Sequence, residues 1–309
     1  MLVVGEPKRI DRAIRRLQGA LQGVPARGVR LTWRGGELRT TIHWTRDDAF
    51  WWAFEPRRAR DALVLGHAPE PPSPRESITC EINLPRTGAD RKLAGMIVED
   101  AAGALYLAHS GRMGGARPGQ SKDGFREFLA DGVWRSVEWP DGEESEVLIV
   151  APLDSPRLTR LLGRFVDAVR RYKAGGAAPL QTALCTDPST RLPPAAACDR
   201  ALVDAALYEE LTKRGVFGGT TDLFSVGADG PRPLFGLIAD GQPEEVALAV
   251  GALALAAARL GPKVKPILVA PLDLPGVESG ALASLPFPCV RFQWRGARAV
   301  FDGLDDALA

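Results

Sequence analysis

The chain has 309 residues and a formal net charge of +1, and 45% of its residues are hydrophobic and 25% charged. A chain of this length and composition buries a sizeable core, so we expect a globular protein of two domains. Charges at positions 8–16 exclude a signal peptide near Met1, and the longest apolar stretch, residues 246–258, is shorter than the about 20 residues that span a bilayer, so a cytoplasmic location is expected.

Residues 1–173 predict an α+β domain with a mainly antiparallel sheet. Apolar residues at helical spacing predict amphipathic helices over residues 7–22 and 156–173. A short helical segment is expected at 123–129. Runs bounded by turn signals predict strands at residues 29–33, 39–44, 77–84, 93–99, 104–109, 132–139 and 146–151.

The N-terminal domain is basic, although the whole chain is close to neutral. Residues 1–173 contain 28 Lys and Arg against 23 Asp and Glu, and residues 1–60 contain 13 against 6. Residues 174–309 contain 11 against 15. This distribution is compatible with a polyanionic partner for the N-terminal domain.

A Gly-rich segment, residues 109–122 (HSGRMGGARPGQSK), follows a predicted strand. Glycines let backbone N–H groups approach a phosphate, and Arg112, Arg117 and Lys122 would neutralise its charge. The segment is therefore predicted to bind a nucleic-acid backbone. A solvated loop whose arginines serve solubility is the alternative. The spacing of a Walker loop is absent. Arg34 and Arg39, in the same basic domain, are further candidate nucleic-acid contacts.

Other reactive side chains give weaker indications of a functional site. His109 is predicted to be a hydrogen-bonded histidine at a strand end rather than a general base, because no nucleophile and orienting group can be recognised beside it. The four cysteines are scattered without a zinc-binding spacing and are predicted to be reduced. Trp44 is expected in the core. Alternation along a strand predicts that one of Trp51 and Trp52 is exposed.

An Ala-, Gly- and Pro-rich linker over residues 174–198 is predicted to separate the N-terminal domain from a second domain over residues 199–309. The second domain has a different order of elements. The pattern predicts a helix at 201–214, strands at 222–226 and 234–240, a helix at 243–260, and strands at 264–272 and 289–294.

Residues 201–296 resemble the PD-(D/E)XK superfamily of restriction-endonuclease-like folds. The residues that carry the resemblance are Thr221-Asp222-Leu223-Phe224, Leu234-Phe235-Gly236-Leu237-Ile238, Val250-Gly251-Ala252 and Ile267-Leu268-Val269-Ala270-Pro271. The resemblance rests on element order and pattern over about a third of the chain, and it implies an α/β restriction-endonuclease-like core.

In that superfamily an Asp and a Glu hold Mg²⁺, and a Lys two residues after the Glu helps to activate water. Asp222 matches the Asp, but Gly236 stands at the Glu position and Ile238 at the Lys position. The resemblance therefore implies a degenerate member without expected catalytic residues or cofactor. An active nuclease would need Mg²⁺ and relocated ligands, for which Asp222, Asp240, Glu209 and Glu210 are the candidates.

We therefore expect a nucleic-acid-binding protein with a catalytically degenerate nuclease-like domain, acting as a subunit or regulator of a bacterial restriction or anti-phage system. Its expected partners are nucleic acid, with DNA preferred over RNA as the prediction, and a further protein. A membrane is not an expected partner. An active metal-dependent nuclease and a protein-interaction scaffold remain as alternatives. The oligomeric state is left open.

Overall fold

The structure is a computed structural model that describes residues 1–33, 36–113, 121–130, 132–176, 192–216, 232–239, 241, 243–274, 282 and 284–309. The chain divides into two compact units, Met1–Pro179 and Leu180–Ala309. Of the predicted linker, residues 177–191 lie outside the described residues. Its last five residues belong to a helix that begins at Pro194, so the predicted end of the linker is wrong.

The first unit contains a closed barrel. Its strands are β1 (Leu2–Val3), β8 (Gly95–Glu99), β9 (Leu105–His109), β10 (Trp134–Glu138) and β11 (Glu144–Pro152). They follow the order β1-β10-β11-β9-β8, and every pair is antiparallel except β1 with β10. The connections include the helices α1 (Pro7–Ala20) and α2 (Lys122–Phe128).

The remaining strands of this unit form a six-stranded sheet. They are β2 (Val24–Trp33), β3 (Gly36–Thr45), β4 (Phe50–Pro56), β5 (Arg60–His67), β6 (Arg75–Ser77) and β7 (Cys80–Pro85). The order is β6-β2-β3-β4-β5-β7. The consecutive strands β6 and β7 lie at opposite edges, and between them the amides of Ile78 and Thr79 donate to the carbonyls of Thr32 and Leu65. The sheet therefore curls around its own apolar cluster, which includes Val29, Leu31, Ile42, Trp51, Ala53 and Val64.

Both tryptophans of the Trp51-Trp52 pair are buried, so the prediction that one is exposed is wrong. Trp51 belongs to the cluster inside the curled sheet. Trp52, on the other face, donates its indole N–H to the carbonyl of Gln22 at 2.9 Å. The helix α3 (Leu158–Lys173) packs against β11 and β5. Both faces of this part of the sheet are therefore covered, which alternation along one strand does not reveal.

The second unit is a four-stranded sheet with helices on both faces. Its elements are α4 (Pro194–Lys213), β12 (Arg232–Leu237), α5 (Pro243–Leu260), β13 (Val264–Pro271), β14 (Cys289–Arg295), β15 (Arg298–Asp302) and α6 (Leu304–Leu308). The order is β12-β13-β14-β15, in which the first three strands are parallel and β15 is antiparallel to β14. One apolar cluster joins α4 and α6 to one face, and another joins α5 to the opposite face.

The predicted helices of the amphipathic pattern are confirmed by these bounds, whereas some strands are missed. Helices predicted at 7–22, 156–173 and 243–260 agree with α1, α3 and α5 to within two residues at each end. The helix predicted from residue 201 begins seven residues earlier, at Pro194. The strands β4 and β5 were not predicted, and the predicted strand 222–226 lies outside the described residues.

Among the helices in the described ranges, none has both the length and the apolar character needed to cross a membrane. No disulfide links the cysteines in those ranges, and burial raises the pKa of Cys80 to about 12. Cys80 is therefore a structural thiol rather than a reactive one.

Candidate nucleic-acid interface

The Gly-rich segment leaves the barrel at a tightly fixed turn after β9. Gly111 has φ +81°, a left-handed conformation that glycine adopts readily. Its amide donates to Nδ1 of His109 at 3.0 Å. Burial, and to a smaller extent the charge of Lys173, lowers the pKa of His109 to about 4. His109 is thus a neutral hydrogen-bond acceptor that holds the turn.

The segment rejoins the described chain at α2, which aromatic packing anchors. Ser121 caps the helix by accepting a hydrogen bond from the amide of Gly124 at 2.9 Å. Phe125 is fully buried, and its ring contacts the rings of Trp134 and Tyr172. The Tyr172 hydroxyl donates to the carbonyl of Ser121 at 3.1 Å. Both ends of the segment are therefore fixed by buried groups.

These two ends meet. A Cβ built on Gly111 would lie 3.5 Å from Cγ of Lys122 and 3.1 Å from the ring of Trp134. Arg112 follows Gly111 directly and is exposed. The structure thus brings the backbone beside Arg112 and the side-chain stem of Lys122 together at the base of the segment.

Among the described residues, no carboxylate forms an ion pair with either cation. The Arg112 guanidinium lies 3.5 Å from the carbonyl of Arg91, and Nζ of Lys122 donates to the carbonyl of Glu146 at 3.2 Å. The carboxylate of Glu146 is occupied by Arg126 through hydrogen bonds of 2.6 and 3.1 Å. Within the ranges that the structure describes, no ion pair involves Arg112 or Lys122, so their charges remain available to an anion.

The other predicted contacts fall in different places. Arg39 lies on β3, is exposed, and donates from Nε to the carbonyl of Gly28 at 3.1 Å. Arg34 and Arg117 lie outside the described residues. Arg39 therefore belongs to the curled sheet, whereas Arg112 and Lys122 lie in the connection between the barrel strands β9 and β10.

In the second unit, the positions of the missing nuclease residues are filled by packing. A Cβ on Gly236 would lie 3.2 Å from Cβ of Leu253 and 3.3 Å from the carbonyl of Ala249, both on α5. Ile238 is fully buried in the same cluster, with Leu253 and Ala249. The helix α5 therefore covers this sheet face at both positions.

The helix carboxylates considered as relocated ligands lie on α4. This helix packs through Leu207 and Leu211 against Phe235 and Leu237, on the sheet face opposite to that of Gly236. The pKa of Glu210 is lowered by hydrogen bonds from Lys213 and Arg214 at 2.7 and 2.6 Å. Glu210 is therefore engaged by two cations, and α4, which carries Glu209 and Glu210, covers the sheet face opposite to that of Gly236.

The remaining metal-site candidates, Asp222 and Asp240, lie outside the described residues. In the described ranges, no three His, Cys, Asp or Glu side chains come together as a metal site would require.

A residue that sequence reasoning missed is Glu245, which is 5% exposed in the first turn of α5. Its carboxylate accepts hydrogen bonds from the amides of Ala239 at 2.7 Å and Gly241 at 3.2 Å. An acidic residue in a first helical turn signals such capping in general, but not which amides it binds.

No family model, curated protein or solved structure matches the chain.

Proposed function

We propose that this protein binds nucleic acid, with DNA as its principal partner, and that its second unit is a nuclease-like fold kept without catalysis. The observation that carries the binding proposal is that Arg112 and Lys122 stand at the two ends of the Gly-rich segment, which come together at Gly111, and that neither forms an ion pair within the described ranges. Phosphate oxygens are the complement of such a pair. The turn at Gly111 and the capped start of α2 fix the backbone of the two residues before binding, which lowers the ordering cost.

The non-catalytic part of the proposal is supported by the packing of positions 236 and 238 beneath α5. A carboxylate and an ammonium group would have to be buried there without water. We place the protein as a subunit or regulator in a bacterial restriction or anti-phage system, where DNA binding without cleavage would direct or restrain a partner. The alternative of an active nuclease requires cleavage of plasmid in Mg²⁺ or Mn²⁺, and such cleavage would overturn this part.

The binding test uses short fluorescent DNA, single-stranded and duplex, titrated with the full chain at several salt concentrations. We expect the double variant Arg112→Glu/Lys122→Glu to reduce the slope of log K against log salt by about 1.8 on duplex DNA, as the loss of two phosphate contacts requires. The matched control is Lys8→Glu/Arg12→Glu, which makes the same charge change on the exposed side of α1.

Equal weakening by both double variants would show that only net charge matters and would contradict the assignment. Binding of the wild-type chain that does not respond to salt would contradict nucleic-acid recognition through phosphates altogether. If charge reversal leaves the biological activity intact, the protein is a scaffold for other proteins instead.

A further inference from the structure

Three arginines lie side by side across the edge of the curled sheet. Arg30 of β2 is in register with Arg75 of β6 on one side and with Arg39 of β3 on the other. All three residues are exposed. Neighbouring strands are about 4.8 Å apart, so the Cα atoms of this arginine row span about 10 Å.

The row faces away from the apolar interior of the sheet. Its neighbours along β2, Val29 and Leu31, are buried inside the curl, and successive side chains of a strand point to opposite faces. Arg30 therefore projects from the outer face, and partners in register project with it. The hydrogen-bonded strands fix the spacing of the row before any ligand arrives.

Such a row is unfavourable without an anion, because like charges directly opposite on neighbouring strands repel one another. The only ion pair formed by the row within the described ranges joins Arg30 to Glu37 at 3.9 Å, with side chains 56% and 62% exposed. An exposed pair at that distance contributes little. Arg39 donates to the carbonyl of Gly28, and the nearby Glu76 accepts a hydrogen bond from the amide of Ser73.

We propose that the arginine row binds successive phosphates of one nucleic-acid strand. This inference rests on the proposed function and deepens it, since it assigns the outer face of β6, β2 and β3 as a contact surface. A guanidinium offers a planar fork that matches phosphate oxygens in a bidentate manner. The long side chains can spread from a row about 10 Å long onto neighbouring phosphates of one strand.

The test compares Arg30→Gln/Arg75→Gln with a control that removes two exposed arginines elsewhere, Arg12→Gln/Arg58→Gln. Glutamine removes the charge and keeps much of the side-chain length. With the wild-type Gly-rich segment in place, we expect the row variant to lower the salt slope on duplex DNA by about 1.8 and the affinity at low salt by about tenfold or more. The control should retain nearly the wild-type slope.

A second measurement needs no nucleic acid. Inorganic tripolyphosphate should raise the Tm of the wild-type chain in low salt, and this rise should be lost in the row variant and kept in the control. The variant Arg30→Lys/Arg75→Lys should keep the salt slope while losing affinity, because lysine keeps the charge but not the fork.

The outcomes separate this inference from the proposed function. If the wild-type chain binds DNA in a salt-sensitive manner and the row variant binds equally well, the row is not a contact surface, while nucleic-acid binding stands. If the wild-type chain shows no salt-sensitive binding, both are overturned.

Discussion

Gly236 of β12 packs so closely against Leu253 of α5 that a Cβ on Gly236 would stand 3.2 Å from Cβ of Leu253, which is tighter than an ordinary contact. The resemblance to nucleases places a Glu at this position and a Lys at position 238. The close packing of helix on sheet has taken the space that those two groups would need.

Restoring the two residues should therefore damage the fold rather than create a nuclease. We expect Gly236→Glu/Ile238→Lys to destabilise the second unit by about 3 kcal/mol or more, since it overpacks a helix contact and buries charges without partners. Urea denaturation measures the loss, and a plasmid assay with Mg²⁺ or Mn²⁺ should show no cleavage.

The matched control is Gly251→Ala on α5, where a Cβ would meet nothing within 4 Å. This variant should be neutral or more stable by up to about 1 kcal/mol, because alanine favours the helix. A folded Gly236→Glu/Ile238→Lys protein that cleaves DNA would refute the assignment of these positions to packing.

Glu245 should stabilise the second unit through the hydrogen bonds that its carboxylate accepts from two backbone amides. Replacing it with Ala leaves the amides of Ala239 and Gly241 without that acceptor in a buried setting. We expect a loss of about 1–3 kcal/mol in the free energy of unfolding, and a smaller loss for Glu245→Gln, which keeps one acceptor oxygen. Equal stability of Glu245→Ala and wild type in urea would contradict this role.

Acidification should destabilise the first unit through His109. Its folded pKa of about 4 lies below the ordinary value of 6.5, so the unfolded chain takes up a proton first as the pH falls. The contribution of neutral His109 to stability is fully present above pH 6.5 and declines as the pH falls from 6.5 towards 4. The difference between the folded and the ordinary pKa corresponds to a loss on the order of 3 kcal/mol in the free energy of unfolding.

Other groups titrate in the same range, so the measurement is the difference between wild type and His109→Asn. Asparagine keeps a side-chain acceptor for the amide of Gly111 but does not ionise. Denaturation curves across this pH range should converge for the two proteins at low pH. A constant difference would mean that His109 does not carry the pH dependence.

Sequence periodicity predicted the elements whose apolar residues lie on one side, such as α1 and α3. It missed β4 and β5, whose residues are buried on both faces and so show no alternation. Arg112 and Lys122 were predictable only as two cations in one loop, because the approach of Gly111 to Lys122 depends on the packing of Trp134 against Gly111. The register of Arg30 with Arg75 is set by a long-range parallel pairing that no local pattern encodes.

The buried position of Trp51 gives a last prediction, for the interior of the curled sheet. A Cβ on Gly66, the residue opposite Trp51 on β5, would lie 2.2 Å from the indole ring. We therefore expect Gly66→Ala to displace Trp51 and to lower the free energy of unfolding by about 3 kcal/mol, because a close-packed interior cannot shift far enough to relieve this contact. Gly19→Ala in α1, where a Cβ meets nothing within 4 Å, is the control and should not destabilise. Near-ultraviolet circular dichroism should change for Gly66→Ala alone, and an unchanged spectrum with unchanged stability would show that Trp51 does not occupy this position.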